Sequence, residues 1–169
     1  MHWTNILKIT LLSFVGLFLF ACKEQQEVFP AEKVLLRSIG AANLEKFDLN
    51  LEGNTSATDQ YSLEKKGNKI LVTGNSNIAL TRGVYDYLKQ ETNSLVSWSG
   101  SRINIPGELP AVSRTGGSPY QYRYYFNVVT HGYTTPYWDW ARWEKEIDWM
   151  ALHGINMPLI GGAHEAILA

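Results

Sequence analysis

Cysteine is almost missing from this chain of 169 residues, which carries one, Cys22. A single thiol cannot close an intramolecular disulfide, and no Cys/His metal spacing can be built around it. Excess charge is missing too. Against 15 Lys and Arg stand 16 Asp and Glu, a formal net charge of -1. Neither nucleic acid nor a charge-driven partner is indicated by that balance. No His, Asp and Glu set has the spacing of metal ligands, so neither a metal nor a cofactor is expected. Hydrophobic residues make up 45% and charged residues 18%, which suits a chain that buries a core and excludes disorder by composition. Aromatics are plentiful at 12%, and four of the six tryptophans fall in YWDWARWEKEIDWM, residues 137–150.

The long apolar run is confined to the start. Ile6 to Ala21 is interrupted only by Lys8 and small polar residues. It is short for a membrane span, which needs about 20 apolar residues, and suits the apolar part of a signal peptide. Leu19-Phe20-Ala21-Cys22 resembles a bacterial lipobox, with Cys22 as the lipid acceptor and the bulky Phe20 as a departure from it. The polar KEQQE that follows fits a tether. Residues 1–22 are therefore read as a lipoprotein signal and 23–30 as a tether. The implied location is the bacterial cell envelope, lipid-anchored on an outer membrane and facing either the periplasm or the exterior. An ordinary cleaved signal and an uncleaved anchor are the alternatives.

Residues 31–112 read as a small α/β domain. A short helix is expected over 31–41, with Val34, Leu35 and Ile39 apolar. FDLNLE at 47–52 alternates as a half-buried strand does. Residues 59–74 read as two strands around a turn at Lys66-Gly67-Asn68, where Gly67 can take positive φ. Residues 77–91 form an amphipathic pattern behind Ser76 or Asn75 as N-cap. LVSW at 95–98 reads as a further strand. The region holds no catalytic constellation. Pro106, Pro110 and SRTGGSP loosen the sequence, and 113–121 is read as a linker.

From residue 122 the pattern changes. YRYYFNVVT at 122–130 favours a strand, HGYTTP a loop, 137–153 a helix, and INMPLI at 155–160 a strand buried on both faces. Trp140, Trp143, Ile147 and Met150 form one stripe on that helix, with Arg142 and Glu146 off it as an i, i+4 pair and Trp149 also off it. Strand, helix, strand makes a βαβ unit with a parallel pair. Chemistry in such folds gathers at C-terminal strand ends, here Asn127 to His131 and Gly161 to Glu165. A barrel of eight such units needs about 250 residues, whereas about 50 follow residue 119. The fold class is α/β: a small N-terminal α/β domain followed by the first βαβ portion of a truncated (β/α)8 TIM-type barrel over 122–169. The chain is expected to be a fragment, inactive by itself.

The stretch WDWARWEKEIDWMALHGIN, Trp138 to Asn156, with RYYFNVVTHGYTTPY before it, resembles the start of the catalytic barrel in the α-N-acetylglucosaminidases, glycoside hydrolase family 89. The small α/β domain matches that family's N-terminal domain in order and size. The resemblance implies an exo-hydrolase that removes terminal α-linked N-acetylglucosamine with retention. Retention uses two carboxyls about 5–5.5 Å apart. In the family both come from later barrel strands, so the catalytic residues are expected beyond Ala169.

Site-wall residues carry over one by one. Asn127 matches an Asn that faces the sugar at the end of the first barrel strand. Val129 stands where many members have Cys. Glu165 matches the Glu of a G-Q-E-A-I motif, read here as Ala163-His164-Glu165-Ala166-Ile167, and Gly161 stands where a Trp is common. His131 and His164 are candidates for bonding sugar hydroxyls, and ordinary loop histidines are the rival reading. The tryptophans read mainly as packing, with sugar stacking by Trp138 as the alternative. Two other functions stay open: a noncatalytic glycan-binding surface lipoprotein, and another barrel glycosidase such as an α-glucuronidase or β-hexosaminidase.

Overall fold

The computed structural model describes residues 30–53 and 56–159. The signal with Cys22 and residues 23–29 of the expected tether lie outside the described residues, as do Gly161, His164 and Glu165, while Pro30, read as the end of the tether, already belongs to a helix.

Helix α1 (Pro30–Ile39) opens on a proline, whose fixed φ suits the first helical position, and buries Ala31, Leu35 and Ile39. The one-turn helix α2 (Ala41–Leu44) leads into β1 (Phe47–Leu51). Strands β2 (Gln60–Lys66) and β3 (Lys69–Gly74) form a hairpin closed by Gly67 and Asn68. Gly67 takes φ 60°, which a side chain would oppose. Helix α3 (Asn77–Glu91) is capped by Ser76, whose Oγ accepts from the Ala79 N–H at 3.0 Å. It lays Ala79, Leu80, Val84, Tyr87 and Leu88 on the sheet.

The sheet has four strands, but not the four expected. LVSW contributes β4 (Leu95–Ser97), which pairs only with β5 (Gly100–Arg102) in a separate hairpin. The fourth strand is β6 (Ser113–Gly117), inside the segment read as a linker. Sheet order is β1-β3-β2-β6, with β1 parallel to β3 and both remaining pairs antiparallel. The linker reading fails because Gly116 is a packing residue. Its missing Cβ leaves room for the Tyr61 ring, which lies across that position.

The next segment departs further. Strand β7 is only Tyr124–Tyr125. Where a strand was expected through residue 130, the chain turns at Phe126, φ 72°, and enters helix α4 (Val128–Tyr133). Helix α5 (Trp140–Leu152) starts at Asp139, whose side chain accepts from the Arg142 N–H at 2.8 Å, and stops at His153 before Gly154. Strand β8 (Met157–Pro158) then pairs parallel with β7, Tyr124 opposite Met157 and Tyr125 opposite Pro158. The parallel strand–helix–strand unit is therefore present, with shorter strands than expected. Leu152 at the end of α5 joins the core formed by α1, the sheet and α3. Among the described residues no helix is long and apolar enough to cross a membrane.

Candidate active site

The end of β7 is built by a local argument between side chains and backbone. After Tyr125, Phe126 adopts left-handed backbone geometry, at a cost of about 1–2 kcal/mol for a residue with a Cβ. The turn delivers Asn127 to the N-terminus of α4. Its Oδ1 accepts from the N–H groups of Val129 and Thr130, both at 3.0 Å, and from the Thr130 hydroxyl at 3.1 Å. The Asn127 N–H donates to Thr130 Oγ1 at 3.4 Å, closing a capping box of the kind that satisfies orphan helix donors. Asn127 is exposed, and its Oδ1 is the atom that the cap engages. Val129 lies in α4 and is 55% exposed. His131 is half-buried on the same helix. Its Nε2 lies 3.2 Å from the Leu159 carbonyl, and its ring stacks at 20° to Trp143. The structure thus brings Asn127, Val129 and His131 onto one short helix at the strand end.

Behind this surface lies a residue that the sequence reading placed on the outside. Glu146 is fully buried. Tyr125 donates its hydroxyl to Glu146 Oε1 at 3.1 Å, and Arg142 pairs with Oε2 at 2.9 Å. The Arg142 guanidinium lies 3.8 Å over the Trp138 ring and 5.8 Å from the centre of Trp98. Burial, with Glu146 beside it, pushes the Tyr125 hydroxyl well above the ordinary tyrosine range. The signal was in the spacing. Trp143, Glu146 and Met150 follow i, i+3, i+7, which puts the acid inside the half-apolar face rather than beside it. Of the expected stripe, Met150 is buried and Trp143 half-buried, but Trp140 and Ile147 are 69% and 43% exposed, and Glu146, Ala151 and Leu152 take the buried face instead.

The tryptophans connect the two segments. Trp98, from the β4–β5 hairpin, meets Trp138 and Trp149 edge to face, and Trp138 meets Trp143 the same way. Trp149 stacks on His153 with ring centres 4.1 Å apart. Burial lowers the His153 pKa. Two arginine clamps add to the junction. Arg37 on α1 grips Asp148 on α5 through two hydrogen bonds at 2.6 and 2.7 Å, and Arg123 pairs with the half-buried Asp59.

Two clefts border this junction. One, of about 680 Å³, lies between the β4–β5 hairpin and α5 and is lined by Arg37, Trp98, Arg142 and Asp148. The other, of about 280 Å³, is lined by Asp59, Tyr61, Arg82, Arg123 and His153. Neither includes Asn127, Val129 or His131. Among the described residues no group of three or more His, Cys, Asp or Glu could hold a metal ion. The buried acids Glu146 and Asp148 are each engaged by an arginine.

Comparison with known proteins matches both segments to one family. Residues 30–111 match the α-N-acetylglucosaminidase N-terminal domain, and residues 123–169 match the α-N-acetylglucosaminidase TIM-barrel domain. A human α-N-acetylglucosaminidase is 39% identical over 150 residues, which is 85% of this chain. The chain spans about one fifth of that relative's length. A family 89 glycoside hydrolase from Clostridium perfringens, solved with 2-acetamido-1,2-dideoxynojirimycin, superposes with a TM-score of 0.74 at 30% identity. The match covers 82% of this chain and 16% of that one. The same enzyme has been solved with its substrate GlcNAc-α-1,4-galactose, with the same coverage and TM-score. With both domain matches on one chain, in order and meeting at β6–β7, the chain belongs to the α-N-acetylglucosaminidase family, glycoside hydrolase family 89, and corresponds to its N-terminal portion.

Proposed function

We propose that the protein to which this portion belongs is a lipid-anchored exo-glycosidase of the bacterial cell envelope. It hydrolyses terminal α-linked N-acetylglucosamine with retention of configuration. The observation that carries this reading is the parallel β7–β8 pair spanned by α5, with Asn127 and His131 set just past the end of β7. In parallel α/β barrels that end of the strands is where substrates are handled. The substrate bound in the Clostridium perfringens relative, GlcNAc-α-1,4-galactose, supports the choice of sugar and linkage.

In this reading Asn127 offers its Nδ2 to a sugar hydroxyl, and His131 and Val129 form the adjoining wall. The family resemblance adds His164 and Glu165, outside the described residues, as further polar candidates. The nucleophile and acid/base carboxyls belong to barrel strands that this chain does not span. Acid/base and nucleophilic work by two carboxyls needs no cofactor. Cys22 carries the lipid, and each buried methylene contributes about 0.8 kcal/mol of membrane attachment.

One experiment tests the whole reading. Cells expressing the full-length gene are fractionated and assayed with aryl α- and β-N-acetylglucosaminides. Turnover of the α-glycoside in the membrane fraction is expected, moving to the soluble fraction in Cys22→Ala. Turnover of the β-glycoside alone would contradict the enzyme assignment, and activity that ignores Cys22→Ala would contradict the anchor.

A further inference from the structure

The carboxylate of Glu146 is fully buried on the crossover helix α5. Its Oε1 accepts from the Tyr125 hydroxyl at the strand end, while Oε2 is ion-paired with Arg142 of the same helix and has no hydrogen-bond partner among the described residues. Tyr125 is the last residue of β7 and is followed by the left-handed Phe126 and then by Asn127. Arg142 is itself fixed over Trp138, and Trp149 and Phe126 pack on the Tyr125 ring with centres 5.4 and 4.3 Å away. A buried ion pair contributes little net stability, because desolvation offsets much of its attraction. A hydrogen bond from a strand-end tyrosine to a fixed carboxylate does something else. It sets where the strand stops and where the following backbone turns.

We propose that Tyr125 and Glu146 are positioning residues of the glycosidase site: their hydrogen bond fixes the end of β7, so that the Phe126 turn holds Asn127 in register with the sugar. The proposal rests on the reading that the β7 end forms part of that site. Neither residue touches substrate. Both act through Asn127, which predicts coupling. A misplacement of about 1 Å in a site costs up to about 100-fold in rate, and that loss disappears once the positioned contact is already gone.

The test is a double-mutant cycle in the full-length protein, with an aryl α-N-acetylglucosaminide as substrate. Tyr125→Phe removes one hydroxyl. Glu146→Leu removes the carboxylate and leaves Arg142 without its buried partner, which costs stability. Asn127→Asp keeps the helix cap and removes the amide donor. Each of the first two is expected to lower kcat/KM by about 10- to 100-fold, with an unfolding temperature near that of the wild type for Tyr125→Phe and a lower one for Glu146→Leu, which is assayed at a temperature where it is folded. In the Asn127→Asp background the further loss is expected to be under about twofold. Losses that multiply fully across the two backgrounds would overturn the positioning role and leave the enzyme assignment standing. Unaltered kinetics in Tyr125→Phe would do the same. An inactive wild type would overturn both. Should Glu146→Leu fail to fold, Tyr125→Phe carries the cycle alone.

Discussion

Gly83 lies where α3 crosses the sheet, and a Cβ there would sit 2.9 Å from Val72 Cγ1 and 3.1 Å from Tyr61 Cδ2. Two effects compete in Gly83→Ala. Helix propensity favours alanine by about 1 kcal/mol. Overpacking a filled core costs about 1–3 kcal/mol, and Val72, fully buried, cannot move aside. Overpacking wins, so the variant is expected to lose about 1 kcal/mol in urea unfolding, and a gain in stability would contradict the close helix–sheet approach. At this scale the sequence was readable where side chains follow a period. Leu35, Leu80, Val84 and Leu88 are buried as their spacing implied. It was less readable where one residue broke type. Glu146 was read as lying off the apolar stripe in an i, i+4 pair with Arg142, because charge outweighed its position between Trp143 and Met150. Gly83 and Gly116 gave no hint that what matters is the atom they lack.

Among elements, helix α4 is the clearest misreading and the most informative. Val128, Val129 and Thr130 are β-branched and favour a strand by propensity. What decides instead is Asn127, three residues before Thr130, which satisfies two backbone donors and turns the chain helical. The Asn-x-x-Thr signature was present in the sequence and lost to composition. Substitution separates its two duties. Asn127→Ala removes the cap and is expected to cost about 0.5–2 kcal/mol. Asn127→Asp keeps an acceptor for the cap, so its stability should match the wild type while activity on an α-N-acetylglucosaminide falls. Equal activity in Asn127→Asp and wild type would confine Asn127 to capping. The β6 strand was hidden for a related reason. Its Gly-rich SRTGGSP reads as a break, yet Gly116 is there to admit the Tyr61 ring, which is held by its hydroxyl's 2.8 Å bond to Asp86. The parallel β7–β8 pair and its crossover helix were legible from pattern, because an apolar run after an amphipathic helix leaves few other arrangements, but β8 is not buried on both faces as expected, since Met157 is 41% exposed.

For the whole molecule, the two segments act as one support. Leu152 enters the N-terminal core, Arg37 grips Asp148, Arg123 pairs with Asp59, and Trp98 packs on the tryptophans of α5. The small domain therefore holds the first barrel helix from outside, while the Arg142–Glu146–Tyr125 chain ties that helix to the strand it follows. Family membership was legible because the Trp-rich helix is long and its residues are tied to these contacts. The catalytic pair was not: the resemblance implies later barrel strands for it, and the chain spans about one fifth of the human relative's length. The proposed retaining hydrolysis of α-linked N-acetylglucosamine by the full-length protein is checked by proton NMR of the first-formed sugar, taken before mutarotation. α-N-acetylglucosamine is expected first and the β anomer later. Initial release of the β anomer, or no release from an α-linked substrate, would overturn it.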